Sequence, residues 1–534
     1  MARTQRMEQT RVSDMFADEG NFNDQLYSAL RKSPWWMMSI AFHVLLGVVM
    51  TAFSTEVVTE APKKALASTT SQDDFKEELP EVQEETEEVA AQEVVAKDPS
   101  LIQAPVDDHN ETDNDMDFHE TMGETEGLSD APFEGPQSNN LLGTGGGAGG
   151  AFKGRGGKAT RGAGGGGKKR DDAVLHALRW LKEHQSEDGG WECEGFAKWC
   201  DGKANTGEKP DGPGKAMYDA GVTGLALCAF LGAGYTNRGD HEFAKVVRKG
   251  LSYLKNVQDP EGCFGPRSTQ HYIYNHACAA LAMVEAYGMT ESNIYKGPAQ
   301  KALDFISLSR NPYFVWRYGV KPGDNDSSVT GWMMMALKSA KLINEDATKR
   351  GKPHPLTLDE EAFDGIRAWL DKMTDPDYGR VGYVTRGSGP ARPQELVDRF
   401  PGEKSESMTG VGMLARIFMG DDPRKDPVIK KGADLCAKLL PTWNTNDGSI
   451  DMYYWYYATL AIFQIGGDTW KKWEDAMNSS MVANQRMDGN YCSFKGSWDP
   501  VDPWGSDGGR VYSTAILCMC LEVIFRYEKV FGAK

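Results

Sequence analysis

Cysteine is scarce in this chain: nine residues in 534, none before residue 190. No Cys-x-x-Cys spacing occurs and the count is odd, which excludes a cysteine-type structural zinc site. Cys228, Cys278, Cys436, Cys518 and Cys520 fall inside apolar helical runs and are expected as buried small hydrophobes. Cys193 and Cys200 share one loop, and whether they pair stays open. Clustered basic charge is also missing, because no Lys/Arg patch interleaves with aromatics on a folded stretch. Nucleic acid is therefore excluded as a partner. The net charge is −18, but it is concentrated in one place. Between Ser54 and Asn140 there are 24 Asp/Glu against 4 Lys/Arg, so the rest of the chain is close to neutral. Long apolar runs are absent too, with a single exception near the N-terminus.

That exception is "PWWMMSIAFHVLLGVVMTAF", residues 34–53, about the length that spans a bilayer. Trp35 and Trp36 mark one interface, and Arg31 and Lys32 lie just before them, which places the N-terminus inside and the rest outside. A leader of over thirty residues and the lack of a small-x-small site argue against a cleaved signal peptide. Ser39 and His43 sit one helical turn apart on the same face. An imidazole within a membrane helix needs a partner away from lipid. The short leader, the anchor with Ser-x-x-x-His and the long extracytoplasmic tether resemble the TonB-type energy transducers. That resemblance implies docking of Ser39 and His43 into a proton-driven motor complex. The tether departs from the family in being Glu-rich, and no TonB-like C-terminal domain follows.

Residues 54–140 hold few aromatics and many acids, and cannot bury enough apolar surface to fold. A Gly-rich basic linker follows over 141–170. Its "GAGGGGKK" mimics a phosphate-binding loop, but Lys169 stands where Ser or Thr would hold magnesium and no strand precedes it. The expected organisation is a cytoplasmic leader (1–33), a transmembrane helix (34–53), an acidic disordered tether (54–140), the linker (141–170) and a folded domain (171–534).

From Asp171 the chain repeats. One signature pairs a small residue with Leu, an aromatic and an apolar residue, as in Ala177-Leu178-Arg179-Trp180-Leu181 and Ala302-Leu303-Asp304-Phe305-Ile306. A second begins apolar helices: "GVTGLALCAF", "SVTGWMMMAL", "SMTGVGMLAR". Aligning these with three variants puts Val222, Tyr274, Val329, Met408, Tyr454 and Tyr512 in one column. Six helix pairs result. The second helix of each is apolar nearly all round and should be buried, whereas the first carries a one-sided stripe and should face solvent. The expected class is all-α, an α6/α6 barrel. Two loops bear a further mark, Gln185-Ser-Glu-Asp-Gly-Gly-Trp191 and Gln485-Arg-Met-Asp-Gly-Asn-Tyr491, with a degenerate copy at Gln258–Phe264. These motifs resemble the prenyltransferase and squalene-cyclase repeat superfamily over about 171–530, which implies an α6/α6 toroid.

The resemblance also implies two chemistries to look for. Protein prenyltransferases hold zinc with Asp-x-Cys and a His following Tyr. Here those stretches read Asp451-Met452-Tyr453 and Tyr512-Ser513-Thr514, so both soft ligands are absent and no metal or cofactor is expected. Triterpene cyclases use Asp-x-Asp-Asp as a proton donor. The counterpart here, Asp324-Asn325-Asp326-Ser327, lacks the last carboxylate, leaving Asp324 and Asp326 as candidate acids. Asp219, Asp326 and Asp451 share one repeat position three residues before the aligned column, where an N-cap belongs. What remains is a barrel mouth of aromatic and polar groups, Tyr272, Tyr274, His276, Trp332, Tyr453, Tyr454, Trp455, Tyr456 and Tyr512, suited to an apolar or cationic ligand. The expected function is a single-pass protein of the inner membrane with an extracytoplasmic, periplasmic barrel. It would bind a prenoid or protein ligand without catalysis and couple to a motor complex. The rival is a terpenoid cyclase or prenyl transferase using Asp324 and Asp326.

Overall fold

A computed structural model describes residues 167–269 and 271–526. Among these residues no helix is long and apolar enough to cross a membrane. The span expected at 34–53, with Ser39 and His43, and the tether at 54–140 lie outside the described residues.

Twelve helices form six consecutive pairs. The outer members are α1 (Gly167–Glu183), α3 (Ala244–Val257), α5 (Asn293–Ser309), α7 (Glu361–Met373), α9 (Pro427–Cys436) and α11 (Gly467–Ser480). The inner members are α2 (Asp219–Gly232), α4 (Tyr272–Thr290), α6 (Ser327–Lys349), α8 (Ser407–Phe418), α10 (Met452–Ile465) and α12 (Gly505–Leu521), and a four-residue α13 (Val523–Arg526) follows. Each inner helix packs on the next, and α12 returns to α2, so the inner ring is closed. Burial follows the two sequence patterns. Every residue of α10 up to Gln464 is buried, while α3 buries only Ala244, Val246, Val247, Gly250, Leu251 and Leu254. An inner helix is surrounded by neighbours and needs apolar surface on all sides; an outer helix needs it on one. The first helix starts at Gly167, four residues before the expected boundary. Arg170 pairs with Glu474 at 2.7 Å and holds that turn to α11.

Three glutamine loops each tie an outer helix to the next. Gln185 Nε2 donates to the carbonyls of Gly189 and of Val246 on α3, both at 2.9 Å. Gln258 Nε2 repeats this with Gly262 at 3.1 Å and Pro298 on α5 at 3.0 Å. The last copy departs from the expected register. Gln485 Nε2 donates to Gly496 at 2.9 Å and to Ala173 on α1 at 2.8 Å, so seven residues are inserted before the matching glycine. Gly189, Gly262 and Gly496 share a φ of +94°, +97° and +97°, and a Cβ on each would strike a carbonyl of the next outer helix. That pairing of positive φ with close backbone approach requires glycine. The ring that follows is Trp498, not Tyr491. Its Nε1 donates to Met481 O at 2.7 Å, as Trp191 Nε1 donates to Leu181 O and Trp316 Nε1 to Ile306 O at 2.8 Å.

The inserted residues grip the start of the barrel. Ser493 O accepts from Trp180 Nε1 at 2.7 Å, and the Tyr491 hydroxyl meets His176 Nδ1 at 2.6 Å. Cys492 forms a disulfide with Cys200, beside a short hairpin of β1 (Trp199–Cys200) and β2 (Lys203–Ala204). Cys193 is buried and free, so the loop-mates Cys193 and Cys200 are not a pair. The partner lay 292 residues away in sequence, brought there by ring closure.

Candidate functional site

The six inner helices start at one end of the barrel, and the residues singled out in the sequence gather there. Asp326 precedes α6 in extended conformation, and its Oδ1 accepts the Val329 N–H at 2.7 Å. Asp451 does the same for α10, accepting from Tyr454 N–H at 2.9 Å. Each satisfies a donor that the first helical turn leaves unpaired. Asp219 does not. A 3₁₀ turn, Ala216–Tyr218, runs directly into α2, so Asp219 is already helical and the repeat's capping position is lost. Its carboxylate instead accepts the Cys193 N–H at 2.7 Å, and burial pushes its pKa up to about 6.

The two candidate acids lie in different environments. Asp324 is exposed, with 59% of its side chain open to solvent, and is paired with Arg317 at 2.6 Å. Asp326 is 0% exposed. Burial pushes its carboxyl up to about 7, against the Val329 N–H and Arg317, whose Nε lies 3.8 Å away. The Tyr383 hydroxyl covers the other oxygen, donating to Oδ2 at 3.4 Å, and itself meets the Tyr318 hydroxyl at 2.5 Å.

Above this sealed acid is an aromatic cup. One wall is His271, Tyr274 and Tyr318, with ring centroids 4.7–6.4 Å apart, and Tyr218 reaches His271 Nδ1 at 3.2 Å. The facing wall is Tyr453 against Trp504 at 6.4 Å. Between them Ser328 Oγ accepts from Tyr274 at 3.1 Å and meets the Tyr453 hydroxyl at 3.0 Å. Trp332 lies beneath, 6.1 Å from Tyr453 and stacked on Tyr456 at 5.5 Å. Tyr218, His271, Tyr274, Tyr318, Tyr383 and Trp504 are all half-buried, whereas the rings below are buried. Burial lowers the His271 pKa and so favours its neutral imidazole.

Of the nine mouth residues expected from sequence, Tyr274, Trp332 and Tyr453 line the cup. Tyr456 supports Trp332, and Tyr512 stands to one side, donating to Asp502 Oδ2 at 3.3 Å. The other four face elsewhere. Tyr454 donates to Leu439 O at 3.0 Å, behind α9, and Trp455 packs on Trp443. Tyr272 lies under Arg267, and His276 is a core histidine between Phe264 and Phe305. Its Nδ1 accepts from Phe264 N–H at 3.3 Å, its Nε2 donates to Ala302 O at 3.2 Å, and burial pushes its pKa down to about 3. Consecutive residues of a helix point about 100° apart, so 453–456 cannot share one face. Tyr453 and Tyr457, four apart, do, with centroids at 5.1 Å. Tyr218, Tyr318, Tyr383 and Trp504 lay off the helical repeat column and were missed; the available signal was aromatic residues in loops leading to inner helices. Asp502 was missed as well. It is buried, and burial together with nearby Asp451 pushes its pKa up to about 7.

The positions matching the family's zinc ligands are otherwise engaged. Asp451 Oδ2 is paired with buried Arg392 at 2.6 Å, and Ser513 Oγ donates to Gly509 O at 3.3 Å. Among the described residues the cluster with metal-ligand spacing is Glu183, Cys200 and Cys492, and both of its thiols are consumed by the disulfide.

Residues 166–384 match the family described as squalene-hopene cyclase C-terminal domain. The squalene–hopene cyclase of Alicyclobacillus acidocaldarius is 29% identical over 200 residues, covering 34% of this chain and 29% of that enzyme. That of Bradyrhizobium diazoefficiens is 22% identical over 204 residues, covering 36% and 29%. The match thus spans under a third of these relatives' length. Among solved structures, the type II terpene cyclase MstE from Scytonema aligns with a TM-score of 0.39 at 12% identity, covering 67% of this chain and 97% of that one. The GH76A α-1,6-mannanase of Salegentibacter sp. HEL1_6 aligns at 0.43 and 12%, covering 66% and 98%. Residues 166–384 are thus similar to the squalene–hopene cyclase C-terminal domain, in keeping with the repeat motifs of the sequence.

Proposed function

We propose that this barrel of the prenyltransferase/squalene-cyclase superfamily binds a prenoid-type ligand in the aromatic cup and does not cyclise it. One contrast carries the proposal: the rings at the rim of the cup keep part of their surface exposed, and the candidate acid keeps none. Protonating an alkene requires the acid in contact with it. Asp326 has no exposed surface and lies beneath Tyr383, while Ser327 stands where the last carboxylate of the cyclase motif belongs. A cyclising cavity must also keep carbocations away from nucleophilic oxygens. Here the phenols of Tyr274 and Tyr453 and the hydroxyl of Ser328 converge on the space a substrate would fill. Half-buried rings with a few fixed polar groups are what a largely apolar ligand needs.

The cyclase alternative is favoured by one observation, an Asp326 carboxyl held up to about 7 and so partly protonated near neutrality. Incubating the full chain with squalene and with geranylgeraniol separates the two. Saturable quenching of tryptophan fluorescence without any cyclised product by gas chromatography–mass spectrometry is the expected result. A cyclised product that disappears in Asp326→Asn overturns the proposal. We also propose that 34–53 anchors the chain with the barrel outside the inner membrane, and that Ser39 and His43 couple it to a motor complex. The anchor's apolar run and the oxidised Cys200–Cys492 pair support that placement.

A further inference from the structure

The cup is not uniformly apolar, and the polar part of it is incompletely paired. Tyr274, Ser328 and Tyr453 contribute three hydroxyl protons. They make two mutual contacts, Tyr274 to Ser328 at 3.1 Å and Ser328 with Tyr453 at 3.0 Å. Each hydroxyl supplies one donor, so whichever way the second contact runs, one O–H is left over. If Ser328 donates to Tyr453, the spare proton is on Tyr453; if Tyr453 donates, it is on Ser328. Neither oxygen has another hydrogen-bond partner among the described residues. The location is reachable, because Ser328 and Tyr453 each retain 6% exposure and Tyr274 is half-buried, whereas Asp326 nearby has none.

We infer that the cup recognises a neutral oxygen on its ligand, an alcohol or carbonyl, through the spare hydroxyl of the Ser328–Tyr453 pair. The inference rests on the proposed prenoid binding and specifies which prenoids are held. A hydrocarbon placed there would leave a desolvated donor unpaired, which disfavours it against an oxygenated homologue. A phosphate or diphosphate end is not what the site suits. The cations beside the cup are already neutralised, Arg317 by Asp324 at 2.6 Å and Lys215 by Asp507 at 2.6 Å. Trp332 and Trp504 then hold the apolar remainder on their faces.

The test compares farnesol with its deoxygenated analogue 2,6,10-trimethyldodeca-2,6,10-triene, each titrated into the full chain. Farnesol should bind about three- to tenfold more tightly, the range for one hydrogen bond. In a Tyr274→Phe background, which removes the third hydroxyl, Tyr453→Phe and Ser328→Ala together should remove that preference, and the analogue should bind no more weakly than before. Equal binding of the two ligands, or a preference that survives both substitutions, overturns the inference but leaves prenoid binding standing. Failure of both ligands to bind overturns the proposed function itself. Circular dichroism of the variants distinguishes a lost preference from a lost fold.

Discussion

At the scale of single residues, the opening aspartate of an inner helix combines two roles that separate experimentally. Asp326 caps α6 and is also a buried acid whose pKa burial pushes up to about 7. A carboxyl raised above its unfolded value contributes stability that is full below about pH 4 and is lost as pH rises through 7. Asn retains the capping oxygen and cannot ionise. Asp326→Asn should therefore exceed the parent chain's melting temperature by a larger margin at pH 8 than at pH 5. Asp326→Ala loses the cap at both pH values and should be less stable by about 1 kcal/mol. Melting curves of the three proteins at the two pH values check this; an Asn variant less stable at pH 8 than at pH 5 by the parent's margin would refute the assignment. Asp502, also pushed up to about 7, adds to the same trend.

Elements are held to one another by the glutamine loops, and here the seven-residue insertion matters. The sequence pattern marks Tyr491 as the anchoring ring of the last loop, but Trp498 fills the slot, fully buried with its indole N–H on Met481 O. Trp498→Ala should cost about 3 kcal/mol or more, as large buried aromatics do. Tyr491→Ala should cost about 1 kcal/mol, because Tyr491 is half-buried and loses one hydrogen bond. Chemical denaturation reads both, and a reversed order would restore the register seen in the sequence. The same insertion places Cys492 against Cys200 at the seam between the last and first repeats.

For the whole molecule, closing a ring joins chain ends that are far apart in sequence. Cross-linking residues 292 apart removes much unfolded-state freedom, so Cys492→Ser should lower stability by about 2–5 kcal/mol. Reductant should lower the parent's melting temperature toward the variant's and leave the variant's unmoved. The proposed anchor makes a separate prediction. Replacing Ser39 and His43 together with Leu should leave membrane localisation intact, since a uniformly apolar helix spans at least as well. It should abolish photocrosslinks to any partner helix from a photoreactive residue placed at position 46 on the same face. Lipid adducts alone in the parent chain would leave a plain anchor.

Local pattern in the sequence was sufficient for the number of helices, their pairing and the distinction between inner and outer members. Those properties follow from how many sides of a helix are covered, and apolar periodicity records that directly. The caps at Asp326 and Asp451 were legible for the same reason, since a cap acts within three residues of its own helix. Asp219 was misread because a preceding 3₁₀ turn, invisible to the repeat alignment, continued the helix backward. Which aromatics line the mouth was decided only in three dimensions. Adjacent residues such as Tyr453 and Tyr454 share composition and repeat position, yet the helical twist sends one into the cup and the other behind α9. Loop aromatics such as Tyr318 and Tyr383 have no period to betray them, and the ring brings them over Asp326 from separate segments. The Cys200–Cys492 pair has the same origin: proximity across a closed ring depends on where the last repeat meets the first, which no local pattern encodes.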